Sequence, residues 1–479
     1  MRRPLALAAS IAAALVSVAA GPAQAARHDW TRFGYDAARS NFSTSVAGIR
    51  AADLAHLKRQ DVAVPGTVDS SPIYLHAVVV KGTKRDVFVA TTSYGRTFAF
   101  DARTGQRLWT FSPATADQLQ GGPQITQATP VSDRRFVFAV TPDGHVRKLR
   151  LANGHEVTAG PWPARLTRDP AHEKLGTALN ISGRSVLATT GGYTGDAPPY
   201  QGKVALIDRN TGRVKRVFNA LCSKRGGVID PSTCSETGSA IWGRAGAVVV
   251  PGSHRVLVAT GDGKFNGKTH WGDSVLELSS DLKRLVGNWT PTNADSLESG
   301  DVDLGSTAPA LLRSGKRWFA LQGGKDGKLR LLNVANLNGH GKPCNCTGHE
   351  LQTIETGSGQ YTAPAVWRHA GASWAFVADL FGRTTAYRLG TGAKPRLHRK
   401  WSVDRGGTGP VIAGGLLYVY SPSGDGVAVY RPATGKRVGT LAAGGGHWNT
   451  PIVADGRVAI PTGDSNAHES SGTITIYRK

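Results

Sequence analysis

Along this chain, apolar and polar residues alternate in short runs that break at a recurring corner. The clearest copies are TFAFDARTGQRLW at residues 97–109, VALIDRNTGRV at 204–214, TTAYRLGTGAK at 384–394 and VAVYRPATGKRV at 427–438, with looser copies from Val146 and Leu329. Such alternation fits a half-buried antiparallel strand. An Asp or Asn caps the corner and the glycine supplies positive φ, so each copy predicts a tight reversal between the third and fourth strands of a small sheet.

A second signal marks where each sheet begins. Ser71-Pro72, Thr129-Pro130, Ala308-Pro309, Ala363-Pro364, Gly409-Pro410 and Thr450-Pro451 each open a fresh apolar run. Proline is tolerated at a strand's first residue, where it removes no ladder bond. Two starts without proline, near Thr177-Ala178 and Ser239-Ala240, fill the wide middle gap and bring the count to eight. A period of about 40 to 50 residues made of short strands predicts an all-β, eight-bladed β-propeller of four-stranded antiparallel blades. Each blade buries its faces only against neighbours, so the ring has to close. The final GTITIYRK, residues 472–479, reads as the closing strand paired with material from the other end, with residues 30–57 completing or bracing the last blade.

No Pro- or Ser-rich linker interrupts the series, so residues 26–479 are expected to form a single domain and a monomer. The first 25 residues have the layout of a secretory signal peptide: Arg2 and Arg3, a small apolar run, then Ala23-Gln24-Ala25. The paired arginines leave twin-arginine export open. No later stretch approaches the roughly 20 apolar residues of a membrane helix, so the chain is expected to be secreted or extracytoplasmic without a transmembrane segment.

Lys+Arg 57 against Asp+Glu 34 gives a net charge of +23, a field that favours anionic neighbours such as a cell-wall polymer. The basic residues are scattered through the turns and not gathered on one stripe, which argues against a specific nucleic-acid site. Four cysteines in an exported chain suit two disulfides. Proximity favours Cys222 with Cys234 and Cys344 with Cys346 among the three connectivities; a metal site of Cys344, Cys346 and His349 is the rival, lacking a fourth ligand. The chain contains no C-x-x-C-H for attached haem, no G-x-S-x-G and no H-E-x-x-H.

The opening WTRFGYDAARSNFS (residues 30–43) and IRAADLAHLK (49–58) resemble the start of the quinoprotein dehydrogenases that bind pyrroloquinoline quinone (PQQ). The blocks ETGSAIWGRAGAVVVPGSHRVLVATGDGKFN (236–266), DVDLGSTAPALL (301–312) and LQGGKDGKLRLL (321–332) are similar, in this order, to blocks of that family, above all its polyvinyl alcohol dehydrogenase branch. Carried over residue by residue, the resemblance implies that Trp242 is the indole floor under the quinone and Asp303 the catalytic aspartate and a metal ligand. Lys325 would be the cation on a quinone carbonyl, Asp262 would stand at an asparagine Ca²⁺ ligand, and Asp69 would be an acidic residue near the cofactor.

Those residue types suit the chemistry. A flat tricycle needs an aromatic plane, and tryptophan offers a large one at little entropic cost. A positioned carboxylate takes the hydroxyl proton of an alcohol, while an ammonium and a divalent ion polarise the quinone. Two departures stand out. Thr194 in TTGGYTGDAPPYQG occupies the family's glutamate ligand position, with Asp196 two residues away, and GPQITQATP has no counterpart of the arginine that meets the cofactor's carboxylates.

Every candidate also has a plainer reading. Trp242 suits a blade interface, Asp301, Asp303 and Asp262 suit turns, Lys325 suits an exposed hairpin, and His447-Trp448 suit channel lining or packing equally. Two functions are therefore expected to compete: oxidation of an alcohol or polymer with electrons passed to an external acceptor, or a non-catalytic propeller binding an anionic envelope polymer or a protein.

Overall fold

The structure, a computed structural model, describes residues 28–392 and 394–479; the expected signal peptide lies outside the described residues. Eight four-stranded antiparallel sheets follow one another as the blades of a propeller. Blades 1 to 7 comprise residues 73–111, 131–165, 180–219, 248–289, 310–355, 365–403 and 408–441. Blade 8 takes its three inner strands from Ile452–Ala454, Arg457–Pro461 and Ser471–Arg478, and its outermost from Lys58–Pro65, which pairs antiparallel with Ser471–Arg478. The closing strand is thus where the sequence predicts it, but its partner begins just after residues 30–57.

Eight apolar clusters lie between successive blades. Ile73 and Val89 of blade 1 pack with Val137 and Leu149 of blade 2, and the series continues round to Ile452 and Ile474 of blade 8 against Phe88 and Phe98 of blade 1. Burial is therefore a property of the closed ring, since no blade holds a core of its own.

Five predicted prolines, Pro72, Pro130, Pro309, Pro364 and Pro451, directly precede the innermost strands, and Pro410 sits at the register break between Thr408 and Val411. Blade 4 differs: its innermost strand begins at Val248, eight residues past the Ser239-Ala240 start. The intervening segment carries Trp242 and Arg244.

The corners form as predicted, and they also hold blades together. Asp101 Oδ1 accepts from the Arg103 and Thr104 amides, and Asp208 Oδ1 from those of Asn210 and Thr211. Trp162 of blade 2 lies flat on Gly212 of blade 3, where a Cβ would meet the indole at 2.8 Å, and its Nε1 donates to Asn210 O at 3.3 Å. Trp109 on Gly154 and Trp401 on Gly435 repeat the contact.

Residues 30–46 brace more than the last blade. They touch innermost strands in turn: Trp30 pairs with Tyr74, Thr31 O accepts from Ser132, Ala37 O from Val249, Ser40 O from Val366, Asn41 O from Ile412 and Val46 O from Asp455. The buried Arg39 guanidinium donates to the carbonyls of Phe33, Ala178 and Leu179. The candidate site, by contrast, is built from loops that precede those strands or join second to third strands.

Both economical disulfides form, Cys222–Cys234 and Cys344–Cys346, which takes the two thiols of the rival metal site. The imidazole nearest that second pair is His340, not His349. Among the described residues no helix is long and apolar enough to cross a membrane.

Candidate functional site

Asp303, in the loop before blade 5, is the centre of the site. Its carboxylate is buried, and each oxygen has a distinct set of donors. Oδ1 accepts from Trp242 Nε1 at 3.1 Å and from the Asp262 amide at 2.9 Å, while Oδ2 lies 2.6 Å from Lys325 Nζ. The close approach depends on Gly261, because a Cβ there would stand 1.9 Å from Asp303 Oδ1. From beneath, Asp273 Oδ1 accepts the Leu304 amide at 2.9 Å and pins the same loop.

The four residues singled out by sequence, Trp242, Asp262, Asp303 and Lys325, therefore meet, although they come from a loop before blade 4, a loop within it, a loop before blade 5 and a hairpin of blade 5. Lys325 Nζ also reaches Asp301 Oδ1 at 2.7 Å and lies 5.5 Å from the Trp242 ring centroid. Burial alone would lower its pKa, but the charges of Asp303 and Asp301 outweigh it and hold the amine protonated. For Asp303, burial acts to raise the pKa, and the Lys325 ammonium outweighs it, so the carboxyl is held below its ordinary range. Asp262 shows the opposite result: burial, then the neighbouring Asp303 charge, push its carboxyl up toward the neutral form.

Above this group lies a cavity of about 170 Å³. Trp242 and Trp448 form aromatic walls with ring centroids 5.3 Å apart, Tyr361 stacks on Trp448 at 5.1 Å, and Thr194 and Asp196 belong to the rim. Gln127, Lys174, Arg244 and Asn466 supply polar and cationic lining. Sequence reasoning missed Lys174 and Arg244 and left Trp448 undecided; the only departure legible near them was the missing proline at the Thr177-Ala178 and Ser239-Ala240 starts.

Asp69 does not line the cavity. Its fully buried carboxylate accepts from Arg244 Nη2 at 3.0 Å, Ser465 Oγ at 2.6 Å and His447 Nδ1 at 2.9 Å, and from the Trp448 amide at 3.3 Å. Burial would raise its pKa, but Arg244 and His447 outweigh that and keep it ionised. Asp69 thus acts at one remove, by setting Arg244 and the Trp448 indole.

A family model described as outer membrane protein assembly factor BamB, a PQQ-repeat model, matches residues 59–233. No curated protein sequence matches the chain. Among solved structures, the chain is similar to a quinohemoprotein alcohol dehydrogenase from Comamonas testosteroni, with 17% identity and a TM-score of 0.68 over 95% of this chain and 81% of that one. The chain shares the eight-bladed propeller fold of that dehydrogenase. The same quinoprotein-like ring is shared with a europium-containing methanol dehydrogenase, 16% identical with a TM-score of 0.65 over 95% of this chain and 98% of that one. It is shared more loosely with BamB from Moraxella catarrhalis, at 13% and 0.54 over 88% and 98%.

The residues of this propeller fit one of the two groups that the resemblance implies. An indole face with Lys325 beside it and the unpaired Lys174 in the lining of the same cavity suits a flat ring that carries a carboxylate. A calcium cage is not assembled. Asp303 Oδ1 already holds two N–H donors, Oδ2 faces an ammonium, the Asp262 carboxyl is engaged with Asp303, and Thr194 brings no carboxylate. Calcium prefers six to eight oxygen ligands, and this group offers nitrogen donors where they would stand.

Proposed function

We propose that the protein is an extracytoplasmic quinoprotein-like oxidoreductase that uses PQQ to oxidise an alcohol group, such as that of a secondary or polymeric alcohol, and passes the electrons to an external acceptor. The observation that carries this reading is the buried Asp303 carboxylate, held ionised by Lys325 at 2.6 Å and opening on a cavity walled by Trp242 and Trp448. The two disulfides and the fold shared with alcohol and methanol dehydrogenases support it.

Trp242 would offer its indole face to the quinone, with Trp448 closing the wall beside it, and Lys325 would face one of its carbonyl oxygens. PQQ, when bound, supplies the acceptor for the hydride equivalent leaving the alcohol carbon. Asp303 Oδ2, with a lone pair left beside Lys325, takes the hydroxyl proton. Trp242 Nε1 and the Asp262 amide fix the carboxylate so that no reorganisation is needed as that proton moves. Trp448, with Tyr361 stacked behind it, walls the same volume on one side. No step is routed through a metal ion.

Reconstitution tests this reading. Purified protein is loaded with PQQ, with and without Ca²⁺, and assayed on primary, secondary and polymeric alcohols with an artificial electron acceptor. Alcohol-dependent reduction of the acceptor supports the proposal; none with any alcohol, in protein shown to hold the quinone, rejects it.

A second reading is favoured by the BamB-described match over residues 59–233 and by Thr194. In it the ring is a non-catalytic scaffold whose basic surface binds an anionic envelope polymer or a protein. Salt-sensitive retention on cell-wall material by protein that binds no quinone is the result that distinguishes it.

A further inference from the structure

Lys174, on the approach to blade 3, lines the cavity with a side chain that is 7% exposed. Its backbone is fixed, since its amide donates to Gly191 O at 2.7 Å and its carbonyl accepts the Gly191 amide at 2.9 Å. The Nζ is not. Among the described residues it has no hydrogen-bond or ion-pair partner, and its one contact is the Tyr193 ring, with the centroid 5.4 Å away. Arg244, which lines the same cavity, is already paired with Asp69.

An unpaired buried ammonium is expensive, and a protein avoids it by neutralising the group or by bringing in a counter-ion. We propose that Lys174 is the anchor for a carboxylate of the ligand that occupies this cavity. One free cation calls for one negative charge at this corner, a carboxylate placed away from Asp196, Asp301 and Asp303 on the rest of the rim. Gln127 and Asn466, joined by a 2.8 Å hydrogen bond, lie on the same wall and offer further amide contacts. The anchor rests on the cavity being the ligand site of the proposed oxidation, yet names a contact that reading does not require.

The electrostatics follow. Burial first, and then the Arg244 charge, press the Lys174 amine down to about 7, with Asp69 and Asp196 acting against them. Above that pH the empty cavity holds a neutral amine, and an arriving carboxylate restores its proton, so binding takes up a proton at alkaline pH and none at acid pH. The carboxylate has two sources, the cofactor or an acidic substrate such as a uronate.

Calorimetric titration in two buffers of different ionisation enthalpy separates them. PQQ is titrated into the parent, Lys174→Met and Lys174→Arg proteins, and glucuronate into the same proteins, free and loaded with PQQ. Proton uptake by the parent at about pH 8 that fades by about pH 6 is expected, with affinity at least about tenfold weaker in Lys174→Met and retained, without proton uptake, in Lys174→Arg. Lys174 dependence for PQQ alone assigns the anchor to the cofactor, and dependence for glucuronate on the loaded protein assigns it to substrate. PQQ bound equally, with equal proton stoichiometry, by parent and Lys174→Met, together with no Lys174 dependence for glucuronate on the loaded proteins, overturns the anchor and leaves the oxidation reading standing. Glucuronate bound through Lys174 with no PQQ bound by any protein does the reverse. No Lys174-dependent signal from either ligand overturns the anchor.

Discussion

Trp242 Nε1 donates to Asp303 Oδ1 across 3.1 Å, joining the approach loops of two neighbouring blades. One indole therefore does two things, offering a face to the cavity and fixing the base beside it. Trp242→Phe keeps an aromatic face and loses the N–H, a bond to a charged acceptor worth about 1.5–3 kcal/mol. Turnover is expected to fall by about ten- to a hundredfold, with quinone affinity changed far less than in Trp242→Ala. Steady-state kinetics beside a quinone titration check this; unchanged turnover in Trp242→Phe would show that the N–H is irrelevant.

Gly261 is the residue whose smallness sets the base. A methyl group there collides with Asp303 Oδ1 and has to displace it. Because the backbone at Gly261 is not in the left-handed region, Gly261→Ala is expected to fold with unchanged circular dichroism and lose about a hundredfold in rate. Normal turnover in the variant contradicts the placement of Asp303.

Chelation tests the reading of the acidic group. With N–H donors on Asp303 Oδ1, the Lys325 ammonium at Oδ2 and the Asp262 carboxyl engaged, exhaustive removal of divalent ions is expected to leave quinone affinity unchanged. An affinity that collapses on chelation and returns with Ca²⁺ would mean that these side chains rearrange round an ion.

Away from the site, Asp379 gives a pH signature. Burial lifts its carboxyl from 3.8 to about 6, against a hydrogen bond from Gln360 Nε2 at 3.0 Å. Between those values the folded chain holds a proton that the unfolded chain has lost, so this group's contribution to stability falls as pH rises from about 4 to 6. Asp379→Asn removes the dependence. The variant is expected to gain about 1–3 kcal/mol over the parent above pH 6, and the gain fades below about pH 4. Parallel curves of Tm against pH for the two proteins count against it.

The ring was legible because its causes are local and repeated. Period-two alternation, Asp-capped corners and proline starts each act within a few residues, and Pro72 or Asp101 can be read without knowing what lies across from them. What the corner glycines are for was not legible: Gly212 admits the turn, but it is also the seat of Trp162 from the preceding blade. The site was legible only through family resemblance, which brought Trp242, Asp262, Asp303 and Lys325 together correctly. Lys174 and Arg244 were missed because a lone lysine in HEKLG and an arginine in WGRAG carry no pattern; their meaning comes from burial and from the Asp69 and Trp448 contacts that only closure of the ring creates. Asp69 was placed one layer too near for the same reason.

The central claim is that this cavity holds a planar quinone on Trp242. Titrating PQQ into the purified protein while following quenching of tryptophan fluorescence addresses it most directly. One equivalent is expected to bind with micromolar or tighter affinity in the parent, and saturable binding is expected to disappear in Trp242→Ala while the fold is kept. A parent protein that shows no saturable quenching, or a Trp242→Ala protein that binds as tightly as the parent, contradicts the account.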